Sequence, residues 1–528
     1  MIGPAIERVD ALDGLHANTQ IPKFIGAARQ YELTGTESLK TAARFFWETV
    51  VRERSYAIGG HSDGEAFTPK ATLSKALGPS TCETCNTYNM LKLTRHLFCW
   101  EPKAEYADYY ERALYNHILA SQNPETGMMC YYVPLKTGCA KGRLNPTGFS
   151  TPEDSFWCCV GTGIENHAKH GDSIYFRGGN DTLYVNLFVA SELNWRERGV
   201  TLRQETDYPQ NASTRLAFRC QQPVELAVLV RHPCWATSGI RITINGKAEA
   251  SSSAPGSYAC LKRTWQTGDT VQVDLPMGLH TEAFRDNPQR LALLYGPLVL
   301  CTTTGAGARE AAIVAQAGHV LDTVKPAAGT GLTFTGSASV FRTGFDREDG
   351  DVTFIPFYRE YKNPYVVYWD LLSPAQWKAK QAEHEAELAR QKVLAARTVD
   401  VIRFEPDSEQ AHKLTGEKSA TGPHEDIHWR HAVDGGWFSF EMAVKPDKPL
   451  ELWCTYWGGD VGREFDILVD GVRIATQTLQ NNCPGRLFEQ KYAIPETLTK
   501  GKAKVRVKFQ AHPGSTAGGV FGCRLMVR

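Results

Sequence analysis

Two adjacent cysteines, Cys158 and Cys159, stand between an aromatic pair and a glycine in the stretch FWCCVGTG. Adjacent cysteines close a strained ring when they pair with each other, so a mutual disulfide is the least favoured use of these thiols. Thiolate chemistry, metal binding and plain burial remain as alternatives. The other cysteines of the chain have to be weighed before one of these uses is chosen.

A second cluster lies in PSTCETCNTYNML, which provides Cys82, Glu83 and Cys85 just before an apolar helical pattern. Taken with Cys158 and Cys159, it gives four thiols and a carboxylate, a donor set that suits tetrahedral zinc. The CxxC spacing alone favours both of its cysteines as ligands and predicts a four-cysteine structural zinc site. On spacing alone, a set of buried free cysteines without metal carries about half the weight, because free cysteine is among the most buried residue types.

An acidic loop, AIGGHSDGEAFTP, places His61, Asp63 and Glu65 between two helical patterns. Loops held by rigid helices are common positions for catalytic groups. Taken alone, however, an acidic loop of this kind is more often simply solvated. These three residues are therefore candidates that need a partner elsewhere in the chain.

Two further polar positions have ordinary structural roles as their default. His16 and Gln20 stand at the start of a helical pattern, where a capping or core role is expected. Glu111 lies among aromatic residues in YADYYERALYNHIL, and its default partner is Arg112 or Lys103 on the helix surface. Neither position indicates a function by itself.

The pattern of apolar residues changes along the chain and predicts a multidomain α + β protein. Residues 17–121 show a 3.6-residue period, and Gly35 stands at a C-cap position after the first long helix. From about residue 183 alternation predicts the strands of an antiparallel sandwich. Residues 373–397 are predicted to form a solvated connecting helix, and a second, smaller sandwich is predicted after it.

Composition limits the class of partner. The 528 residues are enough for about three or four domains. Lys plus Arg and Asp plus Glu both number 58, so charge gives no reason to expect a nucleic acid or an anionic membrane as partner. The sequence has no apolar run long enough for a membrane span and no signal-peptide pattern at its start. We therefore expect a soluble protein, cytoplasmic or periplasmic, without nucleic-acid or membrane partners.

Five stretches resemble the bacterial β-L-arabinofuranosidases of glycoside hydrolase family 127 and the related family 146. They are GLHANTQIPKFIGAARQYELTG, GEAF, CETCNTYNMLKL, YYERALYNHILASQNPETG and FWCCVGTGIENHAKHGDSIYF. The resemblance continues to about FIPFYREYKNPYVVYWD and so covers about 370 residues. It implies an (α/α)6 catalytic barrel followed by antiparallel β-sandwich domains.

The apolar patterns and the resemblance together divide the chain into four parts, of which the last lies outside the common core of the family. Residues 1–182 form a partial (α/α)6 barrel, and residues 183–372 form a β-sandwich region. Residues 373–397 are a linker helix, and residues 398–528 are a C-terminal β-sandwich and a candidate carbohydrate-binding module. Its WCTYWGG and GGWFSF stretches either stack on sugar rings or pack between the two sheets.

Carried over by position, the resemblance implies a Zn²⁺ ion held by Glu83, Cys85, Cys158 and Cys159, which removes Cys82 from the ligand set. Cys158 is also implied as the nucleophile. Zinc coordination removes the proton of a thiol, and the thiolate then takes the place of one carboxylate of an ordinary retaining glycosidase.

The remaining residues that the resemblance implies are an acid/base and three sugar contacts. Glu65 is implied as the acid/base, whose pKa an anionic cluster nearby would raise. His16, Glu111 and one of Tyr131 and Tyr132 match positions that contact the sugar. The implied reaction is a retaining hydrolysis that releases β-L-arabinofuranosyl or similar furanosyl residues from plant glycans.

The helical part of the chain is shorter than the barrel of this family. About five helices are predicted before the first sandwich, whereas the family's barrel has twelve. Three interpretations stay open: a piece of a longer enzyme, a homodimer that covers the gap, or a truncated, inactive sugar-binding protein with a structural zinc. A thiol oxidoreductase built on CETC is disfavoured, because no thioredoxin-like βαβ pattern surrounds it.

Overall fold

The structure is a computed structural model that describes residues 1–528 except 143–147, 251–252, 307, 317, 328, 330, 346–349 and 425–426. The chain divides into two compact units, Met1–Lys380 (unit 1) and Gln381–Arg528 (unit 2). Both helices and sheets are present, so the protein is of the α + β class. Within the described residues, no helix is long and apolar enough to cross a membrane.

Unit 1 opens with a helical layer. Its α-helices are α1 Ile2–Ile6, α2 Ala17–Thr34, α3 Glu37–Glu53, α4 Thr84–Trp100, α5 Ala104–Ala113 and α6 Cys158–Ala168. The chain continues from α5 through a π turn, Leu114–Ile118, and a 3-10 turn, Leu119–Ser121. Further 3-10 turns lie at Leu73–Lys75, Arg196–Arg198 and Phe357–Arg359.

The apolar faces of α2 to α5 pack into one core. The rings of Phe24 and Phe46 stack with centroids 3.9 Å apart, and the buried indole of Trp47 donates to Thr94 across the α3–α4 contact at 2.8 Å. Helix α2 ends at Gly35, which has φ 68°, as the glycine position predicts. The 3.6-residue period thus identified the helices of this layer.

Helix α6 was not predicted as a helix, because its two glycines weaken the helical signal. The structure gives a reason for one of them: a Cβ at Gly163 would overlap the thioether of Met129. Glycine therefore lets α6 lie close to the segment that carries Met129, and it fixes where the first residues of α6 stand.

The rest of unit 1 is built from strands. They are β1 Tyr175–Gly178, β2 Thr182–Val185, β3 Ser191–Trp195, β4 Val200–Glu205, β5 Ser213–Cys220, β6 Val224–His232, β7 Arg241–Ile244, β8 Lys247–Glu249, β9 Ser257–Trp265, β10 Thr270–Asp274, β11 Leu279–Ala283, β12 Arg290–Tyr295, β13 Leu298–Thr303, β14 Ala312–Val314, β15 Lys325–Pro326, β16 Phe334–Gly336, β17 Phe341–Arg342, β18 Val352–Pro356, β19 Tyr365–Val366 and β20 Tyr368–Leu372.

These strands form three sheets. One has the order β1-β2-β6-β9, and a second has the order β3-β4-β5-β10-β7-β8. The third follows β15-β16-β18-β13-β12-β20-β14-β17, with β11 and β19 on additional ladders. The prediction of a purely antiparallel region is wrong at two ladders, because β2 pairs with β6 and β14 with β20 in parallel. In both cases other strands intervene in the chain, so no hairpin forces the two to be antiparallel.

Helix α7, Pro374–Arg397, spans the boundary between the two units in the sequence. Its buried side chain is Trp377, which stacks on Phe345 with ring centroids 5.1 Å apart. The helix that the sequence predicts over residues 373–397 is present.

The described residues of unit 2 form two short helices, α8 Pro406–Ala411 and α9 Glu496–Thr499, and one connected sheet. Its strands are β21 Thr398–Ile402, β22 Thr415–His424, β23 Ile427–Ala443, β24 Leu450–Trp457, β25 Arg463–Val469, β26 Val472–Leu479, β27 Leu487–Ile494, β28 Lys504–Ala511 and β29 Thr516–Val527. Aromatic rings such as Phe438 and Phe509, with centroids 4.9 Å apart, fill its core. Trp453 and Tyr456 are buried, whereas Trp437 and Trp457 keep part of their surface in solvent.

Candidate active site

The loop between α3 and α4 holds Glu65 against the start of α2. Asp63 and Ala66 exchange two backbone hydrogen bonds, which closes a tight turn around Glu65, and Glu65 itself has φ 67°. The backbone N–H of Ala17 donates to the carbonyl oxygen of Glu65 at 2.7 Å. The backbone of Glu65 is therefore held on both sides, and 34% of its side chain is exposed.

His16 is the N-cap of α2, and it also contacts Glu65. Its Nδ1 accepts from the backbone N–H of Thr19 at 3.3 Å, so the ring proton is on Nε2. Nε2 lies 3.5 Å from Glu65 Oε2. The predicted capping role and the predicted place near the sugar are thus compatible, because each uses a different ring nitrogen. Gln20 is buried and accepts from Lys23, in a structural role.

The cysteine cluster forms where two helices begin. Glu83 and Cys85 stand at the start of α4, and Cys158 and Cys159 are the first residues of α6. One donor atom from each of the four residues lies within 4.8 Å of the others. The N-terminal ends of both helices carry partial positive charge, which favours anionic groups there. Chain segments that are more than 70 residues apart in sequence are thus brought to one point.

The distances within the cluster are those of van der Waals and hydrogen-bond contacts. Cys85 Sγ lies 3.3 Å from Cys159 Sγ, and Cys158 Sγ lies 3.9 Å from Cys159 Sγ. Glu83 Oε1 is 3.6 Å from Cys158 Sγ and 4.0 Å from Cys159 Sγ. The four side chains therefore face one another across a single small space.

The protonation of this cluster follows from its burial and crowding. Burial, and next the charge of Cys158, raises the pKa of the Glu83 carboxyl to about 8. The hydrogen bond from Cys159, together with that from Tyr131, lowers the pKa of Cys158 to about 5. Hydrogen bonds with Cys158 and Cys85, and next burial, raise the pKa of Cys159. Of these two adjacent cysteines, Cys158 is therefore the one that is more readily deprotonated at neutral pH.

The chemistry of the donor set fits a metal ion. Three thiols and one carboxylate are ligands that Zn²⁺ takes in tetrahedral sites. Glu83 Oε2 is buried and has no hydrogen-bond partner among the described residues, so one donor oxygen is left for a ligand. Glu83 forms no salt bridge within that part of the chain either. A cation would therefore satisfy a carboxylate that the protein itself leaves incomplete.

Tyr131 links the cluster to Glu65. Its hydroxyl lies 3.4 Å from Cys158 Sγ and hydrogen-bonds to Glu65 Oε1. Because one hydroxyl oxygen contacts both groups, the distance from the sulfur to the carboxylate oxygen cannot exceed the summed length of two hydrogen bonds, on the order of 6 Å. Cys158 is exposed, and His16 is 48% exposed, so this face is open to a ligand from solvent.

The four-cysteine site that the CxxC spacing predicts is wrong. Cys82 is fully buried, but it is not part of the group of donors, and the backbone of Cys82 has φ 59°. This left-handed conformation separates the direction of its side chain from that of Cys85 one helical turn later. Glu83 takes the position of the fourth donor, as the resemblance implies.

Glu111 lies in a different set of contacts. The expected surface partners are wrong, since Arg112 pairs with Glu282 and Lys103 pairs with Glu101. Glu111 is 1% exposed and accepts from Arg231 at 2.6 Å. It also accepts from Tyr208 and from the indole of Trp235, both at 2.9 Å. Its role as a sugar contact stays a prediction, and the contacts it makes are those of a buried ion pair.

The other two candidates of this loop, His61 and Asp63, are not among the donors of the cluster. His61 is fully buried and stacks on Phe67 with ring centroids 5.3 Å apart. Burial, and next the charges of His117 and Arg54, lowers the pKa of His61 to about 3. Burial also raises the pKa of Asp63. Of the three candidates in this loop, Glu65 is the one that the structure brings next to the cluster, through Tyr131.

One member of the cluster's surroundings was not predicted. Thr162 Oγ1 lies 2.9 Å from Cys85 Sγ and so contacts a thiol of the metal site. The sequence held a signal for it, because Thr162 stands four residues after Cys158 and would share its face if this stretch were recognised as a helix. The glycines on either side of Thr162 concealed that signal.

A cavity of about 550 Å³ lies elsewhere in unit 1. Glu111, Arg112 and Trp235 are among its lining residues, whereas none of the metal donors is. Size alone therefore does not identify the reactive site, and the convergence of reactive groups at Cys158 is the stronger evidence.

Comparison with known proteins gives matches over both units. The β-L-arabinofuranosidase GH127 catalytic domain matches residues 1–172 and the GH127 middle domain matches residues 182–277, which together are about half of the chain. Residues 393–526 match DUF6805, a family of unknown function.

Named relatives belong to the same family. The non-reducing end β-L-arabinofuranosidase of Bifidobacterium longum subsp. longum is 26% identical over 294 residues, which are 52% of this chain and 44% of the relative. A GH127 β-L-arabinofuranosidase from Geobacillus stearothermophilus T6 has a TM-score of 0.55 and 25% identity over 70% of this chain and 62% of its own. Another GH127 β-arabinofuranosidase shows the same fold, with a TM-score of 0.55 and 22% identity over 70% of this chain and 63% of its own.

The chain spans less than two thirds of the length of each of these relatives. Its two matched domains nevertheless follow each other in one chain, and the Glu83 and cysteine cluster lies within the first of them. By these matches the chain belongs to glycoside hydrolase family 127.

Proposed function

We propose that the protein is a retaining glycoside hydrolase that releases β-L-arabinofuranosyl or similar furanosyl residues from plant glycans. The observation that carries this proposal is the single tyrosine hydroxyl in contact with both the Cys158 thiol and the Glu65 carboxylate. A nucleophile and an acid/base about 5 to 5.5 Å apart are what a retaining glycosidase needs. Membership of the family supports the choice of sugar.

Zn²⁺ is the ion that we propose for the donor set of Glu83, Cys85, Cys158 and Cys159. When bound, it would hold the thiols in their deprotonated form and make the Cys158 sulfur a better leaving group. The protein's own contribution is to bring three thiols and a buried carboxylate within 4.8 Å of one another.

In the first step the Cys158 thiolate attacks the anomeric carbon of the furanosyl residue. The carbon–sulfur bond forms as the carbon–oxygen bond to the rest of the glycan breaks, and the carboxylic acid of Glu65 gives its proton to the departing oxygen. The products are a thioglycoside on Cys158 and a free hydroxyl group on the shortened glycan.

In the second step a water molecule takes the place of the departed glycan. The Glu65 carboxylate accepts a proton from this water, and the oxygen attacks the anomeric carbon as the carbon–sulfur bond breaks. Cys158 returns to its thiolate form and Glu65 returns to its acid form. Two inversions at one carbon give retention of configuration.

Tyr131 and His16 position Glu65 in this scheme. The Tyr131 hydroxyl donates to Oε1, and the protonated Nε2 of His16 faces Oε2. The two oxygens of the carboxyl group are thereby distinguished, and both are held on the side of Cys158. We propose these two residues and Glu111 as sugar contacts.

The finer architecture is part of the same proposal. We take the helices of residues 1–182 as part of an (α/α)6 barrel, residues 183–372 as the β-sandwich region, and residues 398–528 as a C-terminal β-sandwich.

A homodimer would be recognised by a solution mass of twice the chain in size-exclusion chromatography with light scattering. A mass of one chain would remove that option.

The experiment combines zinc analysis with hydrolysis of p-nitrophenyl β-L-arabinofuranoside. We expect about one zinc per chain and turnover in the unaltered protein. Glu65→Gln should keep the zinc and lower kcat by about 10² to 10⁴, the usual worth of a general acid/base. Cys85→Ser should lower the zinc content, and Cys260→Ser, a change at an exposed cysteine outside the cluster, should alter neither quantity.

Zinc without turnover would contradict the enzymatic proposal and favour a sugar-binding protein with a structural zinc. Absence of zinc would contradict the proposed metal. Full turnover in Glu65→Gln would show that another group is the acid/base.

A further inference from the structure

Unit 2 has a cluster of partly exposed aromatic rings where three of its strands meet. His424 ends β22, Trp457 ends β24, and Phe521 lies in β29. The His424 ring is 5.0 Å from the Trp457 ring and 5.5 Å from the Phe521 ring, measured between centroids. All three side chains are half-buried, whereas most other aromatic side chains of this sheet fill the core.

A pair of charged groups adjoins these rings. Arg463 Nη2 donates to Asp460 Oδ1 at 2.8 Å, and the Asp460 side chain is 11% exposed. The second oxygen, Oδ2, is buried and has no hydrogen-bond partner among the described residues. Burial also raises the pKa of Asp460. The protein thus leaves one acceptor of a nearly buried carboxylate without a donor.

Gly519 marks the point where the rings and the charged pair converge. A Cβ at this position would lie 3.6 Å from Arg463 Nη1, 3.7 Å from Asp460 Oδ2 and 3.7 Å from the Phe521 ring. Because residue 519 is glycine, this point is free of side-chain atoms. A ligand cannot occupy the Cβ position itself, but the absence of a side chain lets it approach the backbone of Gly519 beside a donor, an acceptor and an apolar ring edge.

We propose that these residues, His424, Trp457, Asp460, Arg463, Gly519 and Phe521, form a binding site for a neutral saccharide. A sugar ring presents an apolar face that packs on aromatic rings and neighbouring hydroxyl groups that both donate and accept. One hydroxyl can accept from the guanidinium of Arg463, whose side chain is 27% exposed, and a small side-chain shift that uncovers Asp460 Oδ2 would let a neighbouring hydroxyl donate to it. A site with mostly apolar walls and a few convergent polar groups is the usual design for small ligands.

The charge of the site favours a neutral sugar over an acidic one. The positive charge of Arg463 is already paired with Asp460, so the pair offers hydrogen bonds without a net charge. A carboxylate of a uronic acid would lie against Asp460 and lose through repulsion what it gained from Arg463. This site does not depend on the proposed activity of unit 1, since none of its residues belongs to that unit.

The test is affinity gel electrophoresis of the full chain in gels that contain arabinan, galactan or xylan, with polygalacturonate as the acidic comparison. All proteins carry Cys158→Ala, so that hydrolysis cannot consume the polysaccharide. We expect retardation by at least one neutral polysaccharide, and a retardation at least tenfold weaker in Trp457→Ala. Trp437→Ala is the matched control, because Trp437 is also half-buried in unit 2 but contacts Glu417 and Lys508 instead.

A second variant, Gly519→Ala, tests the point of convergence without removing any group. Its added methyl would meet only ordinary van der Waals contacts in the protein, so the fold should persist, which circular dichroism checks. Retardation should nevertheless fall, because the methyl blocks the approach of the ligand to the backbone at this position. The proposal is overturned if no neutral polysaccharide retards the protein, if polygalacturonate alone does, or if Trp457→Ala and Gly519→Ala migrate like Trp437→Ala.

Discussion

Glu83 and Glu111 are both 1% exposed, yet their surroundings are opposite. Glu111 accepts from the guanidinium of Arg231 and from two further donors. Glu83 faces thiols, and one of its oxygens has no partner within the described residues. Burying a carboxylate without partners is costly. The protein itself supplies the partners of Glu111, whereas Glu83 needs a bound ligand to supply the missing one. The difference shows that the partners of a buried charge, and not its burial, indicate a binding site.

The largest expected effect comes from breaking the completed pair. Arg231→Met would leave the carboxylates of Asp108 and Glu111 buried without their cation, and we expect a loss of about 3 to 5 kcal/mol in the free energy of unfolding. Urea unfolding followed by circular dichroism measures it. A loss below 1 kcal/mol would mean that this pair is no more important than one at the surface.

A smaller effect on stability is expected from removing the metal that we propose at Glu83. A ligand present at a hundred times its Kd stabilises the folded state by about 2.7 kcal/mol, so a chelator should lower Tm in the unaltered protein. Glu83→Gln should show little response to the chelator, because it removes a donor. In the chelated state it should be at least as stable as the unaltered protein, since a buried, unpaired carboxyl is gone. Scanning calorimetry with and without chelator compares them, and equal chelator responses would contradict the comparison.

His61 is a third buried titratable group. It avoids the cost of an unpaired buried charge because it stays neutral. Both of its ring nitrogens lack partners among the described residues, and its folded pKa is about 3. The unfolded chain takes up this proton below about pH 6.5, whereas the folded chain does so only near pH 3, so stability is lost as the pH falls through this window. The expected slope is about 1.4 kcal/mol per pH unit from this residue alone.

The test measures the free energy of unfolding of His61→Phe and of the unaltered protein at several pH values between about 3.5 and 6.5. The variant should lose stability less steeply than the unaltered protein. His319→Asn, at an exposed histidine, should follow the unaltered protein. Parallel curves for all three proteins would show that His61 does not titrate as described.

The smallest effect is expected at an exposed counterpart of the Arg231 pair. Arg52 and Glu105 are 2.7 Å apart, but their side chains are 46% and 38% exposed. Arg52→Ala should change the free energy of unfolding by less than about 1 kcal/mol, because water and salt screen the pair. The same urea measurement applies, and a change close to that of Arg231→Met would show that exposure does not govern these energies.

Sequence reasoning found the parts of the site that depend on local spacing. The period of 3.6 residues identified α2 to α5, and the two groups of cysteines indicated a metal site before any distances were known. It could not choose between Cys82 and Glu83 as a donor, because that choice depends on the left-handed backbone at Cys82. The resemblance to the family supplied the choice, and the cluster has the residues that it implied.

The partner of Glu111 could not have been found in this way. Arg231 lies in a strand 120 residues further along the chain, and nothing in either local pattern connects the two. The parallel pairing of β2 with β6 was not predicted for the same reason, since it depends on how distant segments meet. Long-range contacts of this kind are decided by packing, which a local pattern does not contain.

The left-handed backbone of Glu65, with φ 67°, has a consequence for anyone who alters this protein. A residue with a side chain holds that conformation at a cost of about 1 kcal/mol that glycine avoids. A redesign guided by thermal stability alone would therefore place glycine at position 65 and would report an improvement. It would also delete the carboxylate that we assign to proton transfer, so a more heat-resistant protein would have lost its proposed acid/base.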